Sequence, residues 1–133
     1  MSFLLDTNIA SAHLRLPRGL SHRFVQHSGG LLISALSVAE LYVWANRASD
    51  PEPRLSAIEQ LLRYEVALLP FDLPSARTFG TLKRRLQQRG TAVHDIDLLI
   101  ASAALAHDLT LVTHNTKHFS SVPALRLEDW LAG

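Results

Sequence analysis

Four short apolar runs, each closed by a polar residue or proline and separated by helix-patterned sequence, constrain this chain more than any other feature. They are Phe3 to Leu5, Leu31 to Ile33, Val66 to Leu69, and Leu111-Val112 between Thr110 and Thr113. Apolar runs this short read as strands, the first two of them buried. Ile9 to Leu14 suits a short helix stopped by Pro17, and Leu20 to Gln26 another that exits at Gly29-Gly30. After Ser37 a stronger helix carries Val38, Leu41, Tyr42 and Ala45 on one apolar stripe. Beyond the turn Asp50 to Pro53, Leu55, Ile58, Leu61 and Leu62 mark the next helix. Pro74 suits the first turn of a helix whose Ala76, Phe79, Leu82 and Leu86 face inward and which Gly90 ends. From Asp97 to about His107 the sequence is apolar all round and rich in alanine, the mark of a buried helix that lets backbones approach closely. Leu125 to Leu127 reads as a short fifth strand and Glu128 to Leu131 as a last helical turn. Strands alternating with helices give an α/β class, with a mostly parallel sheet of four to five strands between two helical layers.

In such folds ligands gather outside the carboxyl ends of the strands. The first strand stops there at Asp6, followed by Thr7 and Asn8. If the sheet is parallel, Glu40, early in the helix after the second strand, and Asp97, at the mouth of the buried helix, share that edge. Three carboxylates together repel and raise one another's pKa, which a cation relieves. Mg²⁺ and Mn²⁺ prefer such oxygen donors, and two ions can activate a water and stabilise a leaving oxygen. Each acid also has a plainer reading. Asp6 or Thr7 can cap the next helix, and Ser37-x-x-Glu40 matches a capping box. Asp95 and Asp97 both suit the first turn of a helix, and their chemistry does not decide which enters a site. Asp72, in Asp72-Leu73-Pro74, reads as a helix cap outside the site.

The 133 residues suit a single domain, 1–133, with a core that needs no staples. The absence of cysteine removes thiolate ligands, disulfides and cysteine nucleophiles, and fits a reducing cytosol. No apolar run reaches the ~18 residues of a membrane span, and Asp6 interrupts the apolar start, so neither a membrane segment nor a signal peptide is expected and the location is cytoplasmic. The seven histidines lack the spacing of zinc proteases.

Four blocks in order, Leu4-Leu5-Asp6-Thr7-Asn8, Ser37-Val38-Ala39-Glu40-Leu41, Asp97 to Ala104, and Leu111-Val112-Thr113-His114-Asn115 running on to His118-Phe119, resemble PIN-domain proteins. More narrowly, they are similar to the VapC-type toxins of bacterial toxin–antitoxin pairs. The resemblance spans nearly the whole chain and implies a PIN-like α/β/α sandwich. It also implies a Mg²⁺- or Mn²⁺-dependent endoribonuclease that cuts structured RNA, such as a transfer RNA, with a metal-activated water. It carries the catalytic and metal-binding acids onto Asp6, Glu40 and Asp97, with Asp95 in reserve. Thr113 resembles the polar residue beside the metal, and Thr7 and Asn8 support it. One departure stands out: Asn115 lies where many PIN proteins have a fourth acid. An amide can coordinate or hold water but brings no charge, so a one-metal resting state is expected. A VapB-type antitoxin covering the site and a toxin homodimer are also implied.

Between Leu73 and His94 there is no acid, while Arg77, Lys83, Arg84, Arg85 and Arg89 fall there. Such a window steers nucleic acid, and Lys83, Arg84, Arg85, Arg89 and Lys117 are the RNA-contacting candidates. His118 reads as a structural hydrogen bonder. Trp44 shares a helix face with Glu40 and Arg47 and not with the core stripe, so it is a candidate anchor for the antitoxin. Two other functions compete: a non-catalytic PIN-like module that binds RNA or protein, and a phosphoacceptor domain using Asp6, Thr113 and Lys117. The second lacks an acid beside Asp6 and leaves Glu40 without a task.

Overall fold

The computed structural model describes residues 1–16 and 18–132; Pro17, the expected stop of the first helix, lies outside the described residues. Five strands form one sheet: β1 (Phe3–Leu5), β2 (Leu31–Ser34), β3 (Ala67–Leu69), β4 (Thr110–Val112) and β5 (Leu127–Glu128). Their order is β3-β2-β1-β4-β5 and every pairing is parallel. The connections carry helices α1 (Thr7–Arg15), α2 (Ser21–Gln26), α3 (Ala35–Asn46), α4 (Glu52–Gln60), α5 (Leu73–Gln88) and α6 (Asp95–Ala106). A π-helical turn, Leu61–Glu65, prolongs α4, and a 3-10 turn, Thr116–Phe119, follows β4.

Side chains alternate across a strand, and here the alternation sorts two cores. Phe3, Leu5, Ile33 and Val112 pack toward α1 to α4, with Leu41, Ile58 and Leu61 among the buried partners. Leu4 and Leu111 point the other way, against Leu82, Leu86, Leu98 and Ile100 of α5 and α6. Burying one such leucine or isoleucine contributes about 1.5–3 kcal/mol. Ala101, Ala103 and Ala104 are buried on α6, and their small side chains let α5 and α6 lie close over the sheet. Asp72 caps α5 through Ser75 N at 3.1 Å. Gly90 follows the helix with φ +68°, the left-handed stop that glycine adopts without cost.

Several expectations shift. Ser34, not Ser37, caps α3, accepting from Leu36 N at 3.1 Å. Ser37 is buried inside the helix, so Glu40 belongs to no capping box. Tyr42 and Ala76 are exposed, and Ser75 takes an inward place on α5. The last helical turn expected from Glu128 to Leu131 does not form. Glu128 pairs with Val112 in β5, and Asp129 accepts from Leu131 N and Ala132 N in a tight turn that tucks Trp130 against Phe3 and His27. Among the described residues no helix is long and apolar enough to cross a membrane.

Candidate active site

The pairing register explains why residues far apart in sequence meet at the carboxyl edge. Leu5 stands opposite Val112 and Ile33, so the next residues, Asp6, Thr113 and Ser34, come side by side at that edge, with Ser34 still paired to Leu69 of β3. Asp6 is 5% exposed. Its Oδ2 accepts from Thr113 Oγ1 at 2.8 Å and its Oδ1 from Thr7 N at 2.8 Å. The second bond is a helix cap, so Asp6 both starts α1 and presents its carboxylate at the edge. Thr7 Oγ1 donates to Glu40 Oε1 at 2.5 Å, which ties α1 to the second turn of α3. Thr113 Oγ1 also accepts from Asn115 N at 3.1 Å.

These side chains open into a pocket of about 590 Å³. Asp6, Glu40 and Asp97 line it with the amides of Asn8 and Asn115, while Val43, Trp44 and Ile96 form its apolar wall and Arg47 stands at one side. Burial is the main reason that the Asp6 carboxyl sits above its ordinary pKa; the Thr113 and Thr7 bonds pull it down, and the charges of Asp97 and Glu40 push it further up. Asp97 Oδ2 lies 3.6 Å from His118 Nδ1.

Asp95 does not join this pocket. Residues two apart on a helix point about 200° apart, and Asp95 turns toward α5, where Lys83 Nζ lies 2.6 Å from its Oδ1. That bond and charge hold the Asp95 carboxyl below its usual range. The helix starts two residues before Asp97, and this phase is what separates the two acids. Lys83 is thereby paired. Arg84, Arg85, Arg89 and Lys117 are exposed and lie outside the pocket. Trp44 is half-buried, with Arg54 stacked 4.7 Å from its ring and Arg54 Nη1 donating to the Trp44 carbonyl at 2.8 Å.

The donor set suits a hard cation. Among the described residues no three acid or histidine side chains are closed on a point as a ready cage; the threonine hydroxyls hold one oxygen each of Asp6 and Glu40. The remaining donors are carboxylate and amide oxygens, and Asn8 Oδ1 is buried without a hydrogen-bond partner. Mutually repelling carboxylates and amide oxygens in one pocket fit Mg²⁺ or Mn²⁺ and offer zinc neither sulfur nor the usual imidazoles. Ser11, Val43 and Ile96 line the pocket without having been expected there. Ser11 was legible in principle, one helical turn after Thr7.

A family model of the PIN domain matches residues 3–125. The chain is 34% identical over 132 residues to ribonuclease VapC2 of Haemophilus influenzae, covering 98% of this chain and 99% of that protein. It is 33% identical over 131 residues to the tRNA(fMet)-specific endonuclease VapC of Shigella flexneri, covering 98% of each. Among solved structures it is similar to a DNA-bound VapBC from Salmonella typhimurium, with a TM-score of 0.91, 30% identity and 98% of each chain covered. The match in order, length and fold makes this chain a member of the PIN-domain family, in its VapC branch.

Proposed function

We propose that this chain is the toxin of a VapBC-type pair, an endoribonuclease that hydrolyses structured RNA, transfer RNA foremost, in the cytoplasm. The observation that carries the reading is the meeting of Asp6, Glu40 and Asp97 with Asn8 and Asn115 in one pocket at the carboxyl edge of the sheet. Relatives that are named ribonucleases and a transfer RNA endonuclease, and structural neighbours that are toxin–antitoxin complexes, support it. The chain acts as one domain. A VapB-type antitoxin covers the pocket with Trp44 as one anchor, and two copies of the chain form the working dimer.

Asp6, Asp97 and Glu40 would hold a Mg²⁺ or Mn²⁺ ion, which would make a water more acidic and neutralise charge on the phosphodiester. Asp6 is the central ligand, its two oxygens held by Thr113 and the Thr7 amide. Glu40 is fixed through one oxygen by Thr7, which leaves the other to orient the attacking water in line with the leaving oxygen. Asn8 and Asn115 offer neutral oxygens to water or ion. The substitution of an amide for a fourth acid favours one tightly held ion at rest. Arg84, Arg85, Arg89 and Lys117 meet RNA backbone, while Lys83 reaches it only by giving up Asp95.

The test is cleavage of transfer RNA by the chain purified free of its partner, with Mg²⁺, with Mn²⁺ and with EDTA. Discrete products are expected in metal and none in EDTA. Asp97→Asn should abolish them and Asp95→Asn should leave them. Products that persist in EDTA, or equal defects in the two variants, would overturn the assignment.

A further inference from the structure

We propose that a groove between α5 and the 120–124 connection holds an unstacked nucleotide of the substrate RNA, away from the bond that is cut; the proposal rests on the nuclease reading above. The groove is an open depression of about 380 Å³, wide enough for one nucleotide to rest in. Buried Leu82, half-buried Leu105 and exposed Pro123 give it apolar lining, and exposed Arg77, Thr81 and Arg85 line it as well. No acid lines it. Both arginines are exposed, and among the described residues neither pairs with a carboxylate. The two nearest acids in sequence are occupied: Asp72 bonds Ser75 and His107, and Asp95 bonds Lys83.

A ligand for this groove needs an anionic part and a flat apolar part. A nucleotide has both. Guanidinium forks grip phosphate oxygens in bidentate fashion, and unstacked bases rest on apolar side chains or guanidinium planes. Because single-stranded loops expose such bases and continuous helices do not, the groove selects a folded RNA with a loop.

The geometry also links this groove to the cut. Asp72 meets His107 at one end of the α5–α6 pair and Lys83 meets Asp95 nearer the other, so the helices run antiparallel. The carboxyl end of α5 therefore lies beside the amino end of α6, which carries Asp97 in the catalytic pocket. Arg77, Thr81 and Arg85 follow one i, i+4 row of α5, which Arg89 continues at the C-cap, and the row rises about 18 Å along the helix from Arg77 to Arg89. It leads from the groove toward the catalytic edge. An RNA strand anchored at Arg77 and followed by Arg85 and Arg89 is delivered to the acids, so two separated contacts, not one, define the substrate.

The test compares binding of bulk transfer RNA and of a short single-stranded RNA oligonucleotide, in EDTA and over a range of salt. Arg77→Gln/Arg85→Gln should weaken transfer RNA by about tenfold or more and flatten its log–log salt slope by about one to two. The short oligonucleotide offers unstacked nucleotides to the same groove and should lose affinity too, by a smaller factor because it spans fewer contacts. Thr81→Trp fills the groove and keeps both charges, and should weaken transfer RNA as well. Arg18→Gln/Arg63→Gln removes the same charge at exposed positions that line neither the groove nor the catalytic pocket and should change little. In metal, the groove variants should raise KM for transfer RNA and leave kcat unchanged. Unchanged transfer RNA affinity in the double variant, or an equal loss in the control, overturns the proposal. Loss with the charge variant but not with Thr81→Trp reduces the groove to a phosphate contact and overturns the nucleotide pocket. If the wild-type chain cuts no RNA in metal, the nuclease reading fails, and the binding comparison in EDTA still decides the groove.

Discussion

Asp6 and Asp72 occupy the same local pattern, yet the fold uses them in opposite ways. Each comes shortly after a strand and each caps the next helix, Asp6 through Thr7 N and Asp72 through Ser75 N. Asp6 leaves β1, the central strand, and has neighbours on both sides: Thr113 beyond β4, and Glu40 in the helix after β2. Asp72 comes after β3, the edge strand, and meets only Ser75 and His107. Burial raises the pKa of one carboxyl; hydrogen bonds from Ser75 lower that of the other. A cap motif therefore says how a helix begins. Position in the sheet order says whether the same carboxylate can do chemistry.

The comparison breaks first at catalysis. Asp6→Asn should reduce single-turnover cleavage of transfer RNA in Mg²⁺ by at least about 10³-fold, the several kcal/mol that a metal clamp contributes to the transition state. Asp72→Asn should stay within about twofold, because it removes only a partly exposed charge, keeps an oxygen that caps the helix, and touches no part of the pocket. Comparable losses in the two variants would mean that Asp6 acts through the helix it caps.

A smaller effect is expected one bond away. Thr113→Val keeps the shape and deletes the hydroxyl that donates to Asp6 and accepts from Asn115 N. Groups that orient a metal ligand typically matter 10–100-fold, so a loss of about that size in metal affinity or cleavage rate is expected. The stability cost should be about 1–3 kcal/mol, because two hydrogen bonds are lost and a buried carboxylate oxygen is left without that partner. At the other turn, Ser75→Ala deletes a hydroxyl bonded to Asp72 at 2.6 Å and should leave cleavage unchanged. Metal titration by calorimetry alongside the rate assay separates the two turns.

This contrast also shows where sequence suffices. The strands β1 to β4 were legible because continuous apolar runs bounded by Asp, Ser, Pro and Thr leave little else for them to be. Their parallel order made one edge the place to look. Local capping patterns were weaker guides: Ser37-x-x-Glu40 has the spacing of a box, yet Ser34 caps the helix because β2 runs straight into it. The choice between Asp95 and Asp97 depends on helical phase, and phase depends on a start that Lys83, twelve residues upstream, helps to fix. Thr113 meets Asp6 across 107 residues of sequence; no local pattern carries that. The segment after Leu127 was misread for the same reason, since pairing with β4 and the burial of Trp130 are tertiary events.

Without metal, the two turns should also differ in the sign of their effect on stability. The Asp6 carboxyl binds its proton more tightly in the fold than in the unfolded chain. Its favourable contribution is complete below the ordinary carboxylate pKa of about 3.9 and is lost as pH rises through the folded value. At neutral pH in EDTA, Asp6→Asn should therefore be more stable than wild type in urea denaturation. The advantage should vanish in acid, and saturating Mg²⁺ should reverse it by stabilising only the chain that binds the ion. A less stable Asp6→Asn protein in EDTA at neutral pH would show that its hydrogen bonds outweigh its burial and the repulsion from Glu40 and Asp97.

The smallest effect belongs to Asp72, and its sign is opposite. Its folded pKa lies below the ordinary value, first because of the Ser75 bonds and then because of His107. Its contribution is therefore present above about pH 4 and is lost as pH falls through the folded value. Solvent screens a group this exposed, so Asp72→Asn should lower the urea midpoint only slightly at neutral pH, and the gap from wild type should close in acid. Taken in EDTA from neutral pH down to about pH 3, the midpoint differences of the two variants should start with opposite signs and converge toward zero near the carboxylate range. If the Asp72 gap held constant into acid, its source would be the geometry of the cap and not its charge. The two turns would then differ in burial alone, and the His107 contact, 2.6 Å from Asp72 Oδ2, would contribute position without electrostatic stabilisation.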